Sequence, residues 1–376
     1  MNYEEFKQEI QDSIKDYLSD KYADASVRIN DVVKNNDMHL DGLTIVSPDS
    51  NMSPTIYLNS FFEEYQDGKS IEDILDKIAE IYEEHAVGHN MDISSITEFD
   101  QAKDKVVARV INAEQNADLL ADRPHTLIED LAVTYHINLG NSEDGAMSCA
   151  ITNSLAETYG VTAEDLHEIA MANMEEINKP TFKGMTEVMM EMMGGELPEG
   201  FPMPEGPEQM YVLSNESKLN GAAAMLDTKL MDQIAEKLDG DYFILPSSVH
   251  EVLIVPMQGE MDRENLESMV QEVNATQVSP EERLSDHVYA YDAEAHEIMR
   301  ADRYEEAQAN KDAIVADMPR DQFEKGKAKK AEKAEKAETS ERSSLKARLD
   351  EKKAEAAKTE RKAPKKDLDK KHETSL

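Results

Sequence analysis

Residues 210–256, MYVLSNESKLNGAAAMLDTKLMDQIAEKLDGDYFILPSSVHEVLIVP, hold the densest apolar content of the chain. Tyr211, Val212, Leu213 and Ser214 open as a strand. Asp227 can accept from the free N–H groups of a helix start, and Leu230, Ile234 and Leu238 follow on one helical face. Gly240 suits the left-handed backbone that closes such a helix. Tyr242-Phe243-Ile244-Leu245 and Val252-Leu253-Ile254-Val255 are near-continuous apolar runs, as in strands covered on both faces. Pro246 has no N–H to donate to a ladder and ends the first run. A strand, a helix and a pair of strands predict an α+β fold with mostly antiparallel pairing.

Between the two apolar runs lie Ser247, Ser248, Val249, His250 and Glu251. As chemistry, Ser247 or Ser248 with His250 and Glu251 suggests a hydrolase-type nucleophile, base and orienting acid. Serines after a proline are also good turn formers, and neighbours along a tight turn seldom reach catalytic geometry. No Gly-x-Ser-x-Gly elbow accompanies them. The turn reading is the stronger one.

Working outward, Asp262 starts a helix carrying Leu266, Met269, Val270 and Val273. Ser279-Pro280-Glu281-Glu282 has the proline and glutamate of a second helix start, and residues 288–291 form a strand. Upstream, residues 194–209 hold four prolines and four glycines, which excludes helix and sheet and marks a linker. Before it, Met185, Met189, Met190, Met192 and Met193 crowd a helical segment; flexible thioethers fill a core or meet a variable partner.

The middle of the chain alternates. Leu131, Val133, Tyr135, Ile137 and Leu139 are apolar, with Ala132, Thr134, His136 and Asn138 between them. After the loop at 140–145 the alternation resumes at Met147, Cys149 and Ile151, giving a hairpin over 131–151 with one apolar and one polar face. Cys149 falls on the apolar face with no basic residue beside it in sequence, so it reads as a buried thiol. His136 falls on the polar face. Val106, Val107, Val110 and Ile111 form a short apolar run, and Thr162 caps a helix bearing Leu166, Ile169 and Ala170.

At the N-terminal end, Tyr3, Phe6, Ile10, Ile14 and Tyr17 mark one helical face. Strands follow at 27–33, 38–46 and 55–58, the first two joined through Asn35-Asn36-Asp37, and Ser70 caps a helix with Ile71, Ile74, Leu75 and Ile78. This α-β-β-β-α order invites comparison with duplex-RNA-binding modules, but its last helix begins acidic where phosphate contacts need basic residues. His85 and His89 are four apart, a spacing that can place two metal ligands on one face; Gly88 between them favours a helix end instead. The expected units are 1–90, 91–193, the linker 194–209, 210–300 and a charged tail 301–376.

Charge separates body from tail. Residues 320–376 hold 19 Lys/Arg and 13 Asp/Glu, a net +6, leaving 21 basic and 66 acidic residues, a net −45, in 1–319. Such a body repels nucleic acid and anionic membranes. The tail, rich in Lys, Ala and Glu with few apolar anchors, is expected to be disordered or a single frayed helix. Any nucleic-acid contact would fall to it. One cysteine excludes a disulfide framework and suits a reducing compartment, no apolar run nears the ~20 residues of a membrane span, and MNYEEFKQEI lacks the features of a secretory signal. The expectation is a cytoplasmic protein with no membrane segment and no cofactor.

The order KDKVVARVIN, RPHTLIEDLAVTYHINL, ITNSLAETYGVTAEDLHEIAMANM, YVLSNESKLNGAAAMLD, LPSSVHEVLIVP and HVYAYD resembles an uncharacterised domain family of Gram-positive gut bacteria, often encoded on mobile or conjugative elements. It is similar, more distantly, to another uncharacterised bacillar family with a comparable PH…VLI strand. The resemblance covers most of 1–300 and implies an α+β fold and a cytoplasmic setting, with no catalytic residue to carry over. Composition and resemblance together favour a non-enzymatic binding or regulatory accessory protein with a protein partner. The alternatives are the hydrolase at Ser247, Ser248, His250 and Glu251, and nucleic-acid contact through 320–376.

Overall fold

Three antiparallel sheets order the chain in this computed structural model, which describes residues 1–86, 92–142, 145–194, 208–258 and 261–317. The first sheet is β1 (Ser26–Lys34), β2 (Met38–Val46) and β3 (Thr55–Tyr57), in that order. It packs on the helices Tyr3–Ser13 and Ile71–His85 through Phe6, Ile10, Leu43, Ile45, Ile74 and Ile78. The predicted α-β-β-β start is present, and Ser70 caps its helix by accepting from Asp73 N at 3.1 Å.

The second sheet comprises β4 (Val106–Asn112), β5 (His125–Ile128), β6 (Leu131–Ser142) and β7 (Gly145–Ala150). β4 takes one edge of β6, and β5 and β7 take successive halves of the other. The third sheet is β8 (Pro180–Gly184), β9 (Tyr211–Asn215), β10 (Tyr242–Ser248), β11 (Glu251–Pro256), β12 (Tyr289–Asp292) and β13 (Glu297–Arg300), ordered β13-β12-β10-β11-β9-β8. All pairs in all three are antiparallel. The α+β reading is correct.

One core joins the second and third sheets. Val106, Ala108 and Val110 of β4 and Leu131, Val133, Tyr135 and Ile137 of β6 belong with Leu166 and Ala170 of the helix Ala163–Ile177. The same core continues through the 3₁₀ segment Gly221–Leu226 into Tyr242, Ile244, Ile254, Tyr289 and Tyr291. A further cluster sets Phe243, Leu245 and Val255 against Leu266 and Val270 of the helix Arg263–Thr276. Residues Met1–Glu305 form one compact unit. The expected tail of 320–376, and positions 195–207 of the expected linker, lie outside the described residues.

Some local expectations change. Residues 182–184, the start of the expected Met-rich segment 182–193, belong instead to β8, paired with β9, and the helix Met185–Met192 buries none of its residues. The left-handed residue ending the helix Thr228–Leu238 is Asp239, with Gly240 beyond it. Ser279-Pro280 starts only a three-residue 3₁₀ turn, Pro280–Glu282, because its carbonyls are taken by another part of the chain.

That other part is the turn Asn35–Asp37 between β1 and β2. Asn36 and Asp37 hold φ of 60° and 45°, a region that Asn and Asp enter at low cost. Asn35 Nδ2 donates to the Glu281 carbonyl at 2.7 Å, and Asn36 Nδ2 to those of Pro280 and Arg283 at 2.6 and 3.0 Å. Asn116 Oδ1 accepts from Asn36 N at 2.8 Å, while Asn116 Nδ2 donates back to Asn36 Oδ1 at 3.1 Å. Asp37 carboxylate oxygens accept from Asp118 N and Leu119 N at 3.0 and 3.1 Å. The short helix Ala117–Leu120, whose own N-cap Asn116 makes no capping bond, is thus capped from some eighty residues away.

Replacing Asp37 by alanine leaves those N–H groups without their acceptor and should cost about 1 kcal/mol. Asp37→Asn, which keeps one acceptor oxygen, should cost less. Urea unfolding checks this through a lowered midpoint at unchanged slope; an unmoved Asp37→Ala midpoint would refute the cap.

Candidate functional site

Residue alternation on β4, β6 and β7 makes the site. With one face of β6 committed to the core, its intervening residues Thr134 and His136 point the other way. Register sets Arg109 of β4 opposite Thr134, and Ala150 of β7 opposite His136. These four, with Ile111 and Ser148, floor a cleft of about 490 Å³. Its walls are the end of β1 at Val32, Val33, Lys34 and Asn35, the tip residues Val249 and His250 with Asn220, and Glu281 and Glu282. Leu119 and Arg123 complete the lining.

Two arginines share this cleft. Arg109 Nη2 donates to Ser148 Oγ at 2.5 Å, and neither Arg109 nor Arg123 pairs with a carboxylate among the described residues. Burial, and then the neighbouring Arg123 charge, pull Arg109 down to about 10, so it stays protonated at neutral pH. Burial also lowers Arg123, opposed by Asp122. His136 is 6% exposed, with Nε2 3.4 Å from Thr134 Oγ1. Burial first, then Arg109 and Arg123, hold it well below the usual histidine range, so it is neutral at pH 7. It is an interlayer histidine.

His250 joins the cleft, whereas Ser247, Ser248 and Glu251 are not part of its lining. Its Nδ1 accepts from Asn220 N at 3.1 Å, which puts the ring proton of the neutral form on Nε2, 3.4 Å from Glu282 Oε1. Ser248 Oγ instead accepts from the His250 backbone N–H at 3.0 Å. Ser248 pairs with Glu251 across the turn, with a bulge between Leu245 and Ser248, so Val249 and His250 form the tip. That tip is held from outside: Val249 N donates to Glu282 O, Ala222 N to Val249 O, and Ser214 Oγ to His250 O. Only glycine fits at 221, where a Cβ would lie 2.5 Å from the His250 carbonyl oxygen and 2.8 Å from Asn215 N. The structure brings His250 to Glu282 and leaves its imidazole unbonded to either serine.

His85 Nδ1 donates to the Ile81 carbonyl at 2.9 Å, and His89 lies outside the described residues. Among the described residues no three His, Cys, Asp or Glu side chains gather as a metal site. Cys149 packs against the core opposite Ile137 on the expected face, but is half-buried rather than buried, and a basic neighbour exists in space: burial raises the thiol while Arg123 pulls it down. No helix of the described residues is long and apolar enough to cross a membrane.

A model for a family of unknown function, DUF5688, matches residues 3–293, more than three quarters of the chain and all of the cleft. The chain belongs to the DUF5688 family. Nothing among curated proteins or solved structures matches it. For this DUF5688 chain, sequence reasoning passed over Arg109 and Arg123. The available signal was Arg109 itself, one charge inside the otherwise apolar VVARVI.

The His136 environment makes stability pH-dependent. Unfolded, His136 titrates near 6.5; folded, well below that, so between these values the unfolded chain holds the extra proton. The contribution is complete above about pH 6.5 and is lost as pH falls below it, at up to about 1.4 kcal/mol per pH unit. Urea unfolding at about pH 7.5 and 5.5 should show wild type losing about 1 kcal/mol more than His136→Gln. Equal losses would mean that His136 titrates normally in the fold.

Proposed function

We propose that this protein is a non-enzymatic binding or regulatory accessory protein of the cytoplasm, and that the cleft floored by β4, β6 and β7 holds its ligand. The observation carrying this reading is the state of the two cleft histidines. His136 is sealed and neutral, and both ring nitrogens of His250 are engaged, by Asn220 N–H and the Glu282 carboxylate. Neither imidazole is placed to take a proton from Ser247 or Ser248, the step a serine hydrolase needs. The cleft offers donors to hold a ligand.

A protein partner is part of the proposal. The helix Met185–Met192 keeps Met192 exposed, as is the adjoining Met193, and thioethers adapt to varied surfaces. The cytoplasmic setting is supported by the single cysteine, and service to a mobile element by the sequence resemblance. Contact with nucleic acid would fall to residues 320–376, where the charge turns positive.

The small-molecule fraction of the native cell should raise the melting temperature of the full chain, and not that of Ala150→Phe, which fills the cleft floor. The same protein should hydrolyse p-nitrophenyl acetate no faster than buffer. An extract that moves neither protein, or hydrolysis abolished by His250→Ala, would overturn the reading.

A further inference from the structure

Three of the described arginines are placed against acids. Arg263 binds Glu267 and Glu305, Arg300 binds Asp302, and Arg303 grips both oxygens of Glu129. Arg28 and Arg283 make no ion pair among the described residues, and Arg283 donates to the Val278 carbonyl; Arg109 and Arg123 differ from these in lying in one cleft. They share the cleft, neither pairs with a described carboxylate, and each is destabilised by burial and Arg109 further by Arg123. The body 1–319 has 66 acidic and 21 basic residues, and Glu281 and Glu282 stand on the cleft wall with Asp122 next to Arg123 in sequence, yet no carboxylate is bonded to either guanidinium among the described residues. Two half-buried like charges with no carboxylate bonded to either are a costly arrangement unless an anion comes from elsewhere.

We propose that the cleft binds a small phosphate monoester, with its dianionic phosphate between the Arg109 and Arg123 guanidiniums. The proposal rests on the reading of the cleft as a ligand site and adds the ligand's chemistry. A dianion neutralises both cations where a monocarboxylate neutralises one, and the planar guanidinium fork matches phosphate oxygens. Ser148 Oγ already bridges to Arg109, and the Thr134 hydroxyl adds a neutral donor on the same floor.

The remainder of the lining selects what the phosphate is attached to. Val32, Val33, Ile111 and Val249 give the cleft an apolar side, and about 490 Å³ falls within the range of small-molecule sites. An organic body therefore fits beside the phosphate. Glu281 and Glu282 stand on the wall, where they repel the further charges of a polyphosphate or a nucleic-acid backbone. Their carboxylates suit hydroxyl groups of a ligand body.

Calorimetry on the full chain at low salt, with phenyl phosphate, inorganic phosphate and benzoate as probes, tests this. Phenyl phosphate should bind most tightly, inorganic phosphate more weakly, and benzoate weaker than phenyl phosphate by about tenfold or more. Arg123→Gln should weaken phenyl phosphate by about tenfold or more at an unchanged melting temperature. Arg109→Lys, which keeps the charge without the fork, should also weaken it; if that variant does not fold, Arg123→Gln decides. No phenyl phosphate binding at millimolar concentration, or equal binding by Arg123→Gln, overturns the proposal. Inorganic phosphate binding as tightly as the ester removes the organic body, and a phosphotyrosine peptide binding more tightly than phenyl phosphate moves the ligand to a modified protein; either overturns it too. If phosphates fail while the cell extract still stabilises wild type and not Ala150→Phe, the ligand site stands with another chemistry. If the extract also fails, both readings fall.

Discussion

The two-residue period of β6 is the constraint on which the rest depends. Its odd-numbered residues Leu131, Val133, Tyr135 and Ile137 are fully buried in the core shared by the second and third sheets. Because side chains alternate, Thr134 and His136 then have no choice of side. A one-residue slip would exchange Tyr135 with His136, moving a polar ring into the core and an aromatic one onto the cleft floor. Register is fixed from both edges, by β4 along one and by β5 and β7 along the other. The cleft floor is therefore as rigid as the core behind it.

The walls are assembled by a different kind of interaction. Where the β1–β2 turn meets the Pro280–Glu282 turn and the helix Ala117–Leu120, a small apolar cluster of Ile111, Leu119, Leu120 and Ala132 with Val33 against it is joined by many polar bonds. Side-chain amides and a carboxylate satisfy backbone groups that these short elements cannot satisfy themselves. Such bonds are directional, so they fix position more than they add stability. A second polar link ties Asp130, at the turn before β6, to the hydroxyls of Tyr289 and Ser285 at 2.7 and 3.0 Å. These two junctions place Asn35, Glu281 and Glu282 on the cleft wall.

What could be read from the sequence follows from this division. Caps at Ser70, Thr162, Asp227 and Asp262 are local, with the acceptor within three residues of its donor, and all four form as expected. The alternation over 131–151 and the apolar runs of β10 and β11 are also local patterns, so the strands and the α+β class were legible. Local signals misled where distant partners intervened. Ser279-Pro280 has the residues of a helix start, but its carbonyls serve Asn35 and Asn36; residues 182–184 follow β9 into the sheet rather than the helix after them. The cleft was least legible, since its lining comes from segments scattered between residues 32 and 282. The serine–histidine cluster was visible because it is contiguous, and contiguity is what a tight turn requires.

The cleft also explains how a strongly acidic chain can present a cationic surface. Net charge governs long-range attraction, which salt screens within about 10 Å; a half-buried pair of guanidiniums acts at contact distance in a medium of lower dielectric than water. The −45 body would slow the approach of a polyanion while leaving a small dianion able to enter. Arg109 shows the same trade from the side of stability. Its strand neighbours Ala108 and Val110 are buried and apolar, and a hydrophobic side chain at 109 would avoid the desolvation that pulls the guanidinium down to about 10. The one charged residue of this strand faces the cleft. The proposed anion would account for that departure, which folding alone does not favour.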